Sequence, residues 1–229
     1  MNLIKILALV TVLLIMSSNA FADAQDEVIQ LQKRWAEANY TLKDKAQITA
    51  FEMLIQQADN AVKANADSVD VLIWQGVIKA SYAGVKGGLG ALSLVKSAKA
   101  DFEKALKMDD TALLGSSYTN LGVLYYKVPG WPIGFGDDDK AKVFLDKALA
   151  IDSEGIENNY FYADYLIDQR QYAQAEPYLL KAQHAAARSD RPVADKGRQA
   201  EITVALQNIK LQLNVNNQDK HNASITDRR

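Results

Sequence analysis

The chain has 229 residues, with 26 Lys and Arg against 28 Asp and Glu, a formal charge of −2 at pH 7 and no cysteine. A composition that is 48% hydrophobic and 24% charged excludes a disordered or collagen-like polymer, and the near-neutral balance offers no electrostatic footprint for nucleic acid. Without cysteine there is no disulfide framework, thiol nucleophile, iron–sulfur cluster or thiolate zinc site.

Residues 1–22 have the build of a cleavable export signal. Lys5 supplies a positive start, Leu7 to Met16 is an apolar run broken only by Thr11, and Ala20-Phe21-Ala22 puts small residues where a signal peptidase reads. Cleavage is expected after Ala22. The apolar run is shorter than the roughly 20 residues that span a bilayer, and no later run of about 18 apolar residues follows. A lipid anchor of the bacterial lipoprotein type would need a cysteine. In a Gram-negative cell the product is therefore expected in the periplasm, with no membrane insertion after cleavage.

From residue 23 onward, apolar residues recur at three and four. Val28, Leu31 and Trp35 form one such stripe, Phe51, Leu54, Ile55, Ala58 and Val62 a second, and Leu92, Val95, Ala98, Phe102 and Ala105 a third. No segment alternates apolar and polar residues with β-branched enrichment, so an all-α fold without sheet is expected. Residues 23–68 are expected to form N-terminal helices, a degenerate hairpin in which Ala58 to Lys63 echoes a motif met again downstream.

That motif is repeated. Phe102-Glu103-Lys104-Ala105-Leu106 matches Leu145-Asp146-Lys147-Ala148-Leu149, and Tyr178-Leu179-Leu180-Lys181-Ala182 is a third copy. A second alanine stands seven residues before the repeated one each time, at Ala98, Ala141 and Ala175. Each copy follows a segment centred on a small residue, Gly76, Gly122 or Ala163, with Leu121-Gly122 and Tyr125 the fullest version. Small residues at these places let two helices approach closely while Leu, Tyr and Phe fill the space between.

The pattern resembles the tetratricopeptide repeat, a helix-turn-helix of 34 residues. Ala148 to Ala182 has that spacing, whereas Ala105 to Ala148 spans 43 and requires an insertion. The resemblance implies a helical-hairpin solenoid with three repeats over 69–187; apolar Val204, Leu206, Ile209 and Leu213 predict a capping helix within 188–213, and the polar, patternless residues 214–229 a disordered tail. A secreted helical repeat chain with Gly136-Asp137 and Ala141 at the entry to a second helix is also similar to the periplasmic T component associated with TRAP-type transporters. The fourth repeat position, Trp in the family, is here Leu72, Tyr118 and Asn159.

Two insertions, at 82–90 and 127–136, are expected at the turns inside the first and second hairpins, and stacking of the hairpins would make them neighbours. The first holds four glycines but lacks the spacing and preceding strand of a phosphate-binding loop. The second reads Lys127-Val128-Pro129-Gly130-Trp131-Pro132-Ile133-Gly134-Phe135-Gly136, a packed Ω-like loop too apolar for ordinary solvated chain. Trp131 and Phe135 either present a binding surface or plug the space between neighbouring hairpins.

Chemistry is sparse elsewhere. Asp137-Asp138-Asp139 opens a helix and lacks the ligand spacing of an EF-hand, so capping is the expected role. His184 and His221 are 37 residues apart, and no serine sits in a nucleophile motif. No catalytic, cofactor or metal site is expected. In the tetratricopeptide family the first helix of each repeat lines a concave groove, which implies Tyr126, Lys127, Glu157, Tyr160, Asp164 and Asp168 among its lining. With Trp131 and Phe135, the residues Tyr126, Lys127, Tyr160, Asp164 and Asp168 are the candidate site for a basic or neutral extended segment. The expected function is a periplasmic interaction or scaffold module with a protein or peptide partner; the alternative is an accessory component of a transport system that binds a small-molecule ligand.

Overall fold

The computed structural model describes residues 24–226; the expected signal segment lies outside them. Every regular element among the described residues is an α-helix: α1 (24–40), α2 (Asp44–Ala64), α3 (Val69–Lys86), α4 (Gly88–Met108), α5 (Ala112–Lys127), α6 (Asp138–Ile151), α7 (Ile156–Asp168), α8 (Tyr172–His184) and α9 (Pro192–Thr226). None is long and apolar enough to cross a membrane. The chain divides after Met108 into two compact units, the first ending with α4 and the second beginning before α5.

In the first unit, antiparallel neighbours pack in chain order. Gln47 of α2 donates its side-chain amide to the carbonyl oxygen of Ala38 at 2.9 Å, satisfying the end of α1 across a short turn. Trp35 of α1 meets the ring of Trp74 edge-on at 5.7 Å, and its indole N–H donates to Ser81 Oγ at 2.8 Å, so α1 lies against α3. Gly76 explains the closeness of α3 and α4: a Cβ there would stand 2.7 Å from the Phe102 ring, which is itself fully buried.

Residues 82–90 do not form an inserted loop. Helix α3 runs on to Lys86, and α4 starts at Gly88. Gly87 and Gly88, with φ of +62° and +63°, make the reversal in the left-handed region that glycine enters without a Cβ penalty.

In the second unit the hairpin logic repeats. A Cβ on Gly122 would lie 2.6 Å from Leu145 of α6, while Ala141, Ala148, Ala163, Ala175 and Ala182 are all fully buried at their helix contacts. The alanines seven apart thus mark the seam of each pair, because seven residues return to the same helical face. Asn158 joins three elements. Its amide donates to the carbonyl oxygens of Ala148 and Asp152, each at 3.1 Å, at the end of α6, and its own oxygen accepts from Thr119 Oγ1 of α5 at 2.6 Å. Asn159 donates to the Ser153 and Gly155 oxygens and so fixes the α6–α7 turn.

Helix α9 packs on α8 and α7 and continues to Thr226. Residues 214–226, expected as a disordered tail, extend the capping helix instead. No glycine or proline occurs between Gly197 and Thr226 to interrupt it.

Candidate functional site

The loop between α5 and α6 is clasped by its own backbone. Asp137 N–H donates to the Tyr125 oxygen at 2.8 Å, Gly136 N–H to the Pro129 oxygen at 3.0 Å, and the N–H groups of Ile133 and Gly134 both to Gly130 at 3.1 Å. A Cβ on Gly136 would collide with the Val128 carbonyl, and one on Gly134 with that of Pro129, so both glycines are required by close backbone approach. The Trp131–Pro132 peptide bond is cis. Asp137 then caps α6, its carboxylate accepting from Lys140 N–H at 3.0 Å and pairing with Lys140 Nζ at 2.8 Å. This is the capping role expected of the Asp run.

The loop's two large aromatics separate. Phe135 is half-buried and meets Tyr125 edge-on at 5.6 Å, while Tyr125 stacks on Phe144 of α6 at 5.5 Å. Phe135 is the residue that anchors the loop. Trp131 is not a plug: it is 90% exposed, and Ile133 is 68% exposed. The two candidate roles therefore fall to different residues.

The residues of α5 and α7 that the resemblance implied for a groove come together, and the chain's own cations pair with them. Tyr126 donates its hydroxyl to Asp164 at 2.8 Å, and Lys127 Nζ lies 2.9 Å from Asp164 and 4.0 Å from Asp168 while sitting 4.7 Å above the Tyr126 ring. Burial, then the Asp164 charge, pushes the Tyr126 hydroxyl well above its ordinary value, so it stays a donor. Tyr160 lies under the Arg198 guanidinium of α9 at 4.1 Å, and burial lifts its hydroxyl to about 12 against the opposing pull of Arg198.

One step along α7, Glu157 accepts from Arg188 at 3.0 Å and from Arg198 Nε at 2.9 Å. Arg188 also binds Asp195 through both side chain and backbone. Burial opposes the charged form of Glu157, but Arg198, Arg188 and Arg191 outweigh it and hold its carboxyl below the ordinary value. The acidic face read from the repeat register is thus neutralised from within. This arginine network went unseen in the sequence because Arg188 and Arg198 stand outside any repeated position; only the packing of α9 brings them to α7.

Among the described residues no cluster of three His, Asp or Glu side chains is arranged to hold a metal ion. The loop at 127–136 and the turn at 87–88 belong to different units. No protein-family model matches the chain, and no curated protein matches it in sequence.

Proposed function

We propose that this chain is an exported interaction or scaffold module of the tetratricopeptide-like kind, and that it engages a protein partner through the Trp131–Ile133 tip. The observation that carries this reading is a tryptophan 90% exposed on a loop whose backbone is fixed by four hydrogen bonds and by Phe135. On a fixed backbone a tryptophan has only its own two side-chain torsions to order on contact, a low cost for a large contact area, and tryptophan is enriched among residues that dominate binding energy. The complementary surface is an apolar pocket able to take an indole and a branched side chain. Tyr126, Lys127, Asp164 and Asp168 are paired with one another and Tyr160 lies against Arg198, so the partner contact is assigned to the loop tip rather than to these five residues. Residues 1–22 would direct the protein to the periplasm.

A photo-crosslinking residue in place of Trp131, introduced in cells of the source organism, tests the proposal. It should give one discrete protein adduct, absent when the probe replaces exposed Lys107 and lost in an Ile133→Asp background. Identical adducts from both positions, or none from 131, would contradict it.

A further inference from the structure

Helix α9 carries apolar residues on two opposite sides. Ile202, Leu206 and Ile209 are buried on the side that meets α7 and α8. On the other side Val193, Val204, Leu211 and Val215 are 45%, 55%, 62% and 51% exposed, and Ala200 is exposed with them. At about 100° per residue these five fall within an arc of about 60°, a straight stripe about 33 Å long. The last element of a stack of helical hairpins needs a polar outer face to stay solvated. Yet over about five turns, from Gly197 to Val215, no charged residue stands on this side, and its polar members are Gln207, Asn208 and Asn214. Lys196 and Lys210 flank one edge and Glu201 the other. Loss of charge along an exposed apolar strip is the compositional mark of an interface core.

The spacing of the stripe identifies what covers it. Ala200, Val204, Leu211 and Val215 are separated by four, seven and four residues, the same order in either direction along the helix. A two-fold dimer requires a patch that is complementary to itself. Two α9 helices laid antiparallel about a point between Gln207 and Asn208 set Val204 against Leu211 of the second copy and Ala200 against its Val215. Gln207 then faces Asn208 of the second copy across the axis, where the two amides can exchange hydrogen bonds and hold the register. Each copy's α7 and α8 lie on the far side of its own α9, so they leave the seam open. A seam about 30 Å long between helices about 12 Å across covers roughly 400 Å² of each copy, about half a standard interface, which makes the association reversible.

We propose that the outer face of α9 is covered by a second copy of this chain, whose own α9 packs antiparallel across Ala200, Val204, Leu211 and Val215. The interface is independent of the Trp131 loop, and a dimer built this way carries two such loops.

Sedimentation velocity of the purified protein, from about 1 μM to about 500 μM, tests the association. A monomer–dimer equilibrium with a midpoint in that range is expected. Leu211→Glu should raise the dissociation constant by about tenfold or more, with an unchanged circular dichroism spectrum because Leu211 is exposed, and Trp131→Ala should leave it as it was. The chain has no cysteine, so introduced thiols report the arrangement. Val204→Cys and Leu211→Cys proteins should each stay uncrosslinked when oxidised alone, since like positions stand about 10 Å apart along the axis, and should form a disulfide when mixed. A monomer at every concentration, an association that Leu211→Glu leaves unchanged, or no disulfide in the mixture would overturn the proposal. Loss of the dimer in Trp131→Ala would also overturn it, by assigning the contact to the loop.

Discussion

Trp131 and Phe135 stand four residues apart in one loop and carry opposite burdens. Phe135 packs on Tyr125, which packs on Phe144, so deleting its ring removes buried area and leaves a gap against α6. Trp131 has nine-tenths of its surface in solvent and has little to lose. Phe135→Ala should therefore lower the unfolding free energy by about 2 kcal/mol, less than a fully buried aromatic costs, and Trp131→Ala by well under about 1 kcal/mol. Urea unfolding, with slope and midpoint both recorded, checks the pair. The apolar character of the loop was legible in the sequence, as was its Pro and Gly scaffold. Which aromatic turned inward was not, because that follows from where Tyr125 sits once α5 and α6 have paired.

At the scale of elements, the spacing of small residues was the most informative signal. Gly76, Gly122 and the alanines seven apart mark where helices touch, since only small side chains admit so close an approach. Glycines misled at 82–90, where Gly84 and Gly90 lie inside helices and only Gly87 and Gly88 turn the chain. The end of α9 was misplaced for the converse reason: apolar periodicity stops near 213 although no residue that breaks helices follows. The link between α7 and α9 was invisible altogether, because Glu157 meets Arg188 and Arg198 across 31 and 41 residues of sequence.

That link gives a pH dependence. The folded state holds Glu157 below its ordinary value of 4.5, so its contribution to stability is complete above about pH 4.5 and is lost as the pH falls through the depressed folded value. Glu157→Gln should lower stability at pH 7 and flatten the acid-side decline relative to the unaltered protein. Urea midpoints measured from pH 7 down to pH 3 would show this. Parallel acid-side slopes in the two proteins would mean that the carboxylate gains nothing from its arginines.

The whole molecule distributes its three tryptophans unevenly between its units. Trp35 and Trp74 belong to the first and are 6% and 5% exposed; Trp131 belongs to the second and is 90% exposed. The all-α class was legible from periodicity, because a helix that buries one face must repeat apolar residues at three and four. The proposed contact was legible only as a choice between two roles for the same loop. Whether Trp131 stands in solvent on the folded protein decides that choice, and iodide quenching of tryptophan fluorescence measures it directly. The folded protein should show one quenchable, red-shifted component together with emission that iodide does not reach, and Trp131→Phe should abolish the quenchable component alone. A quenchable fraction that survives Trp131→Phe unchanged would place Trp131 inside the fold and contradict its role as the presented contact.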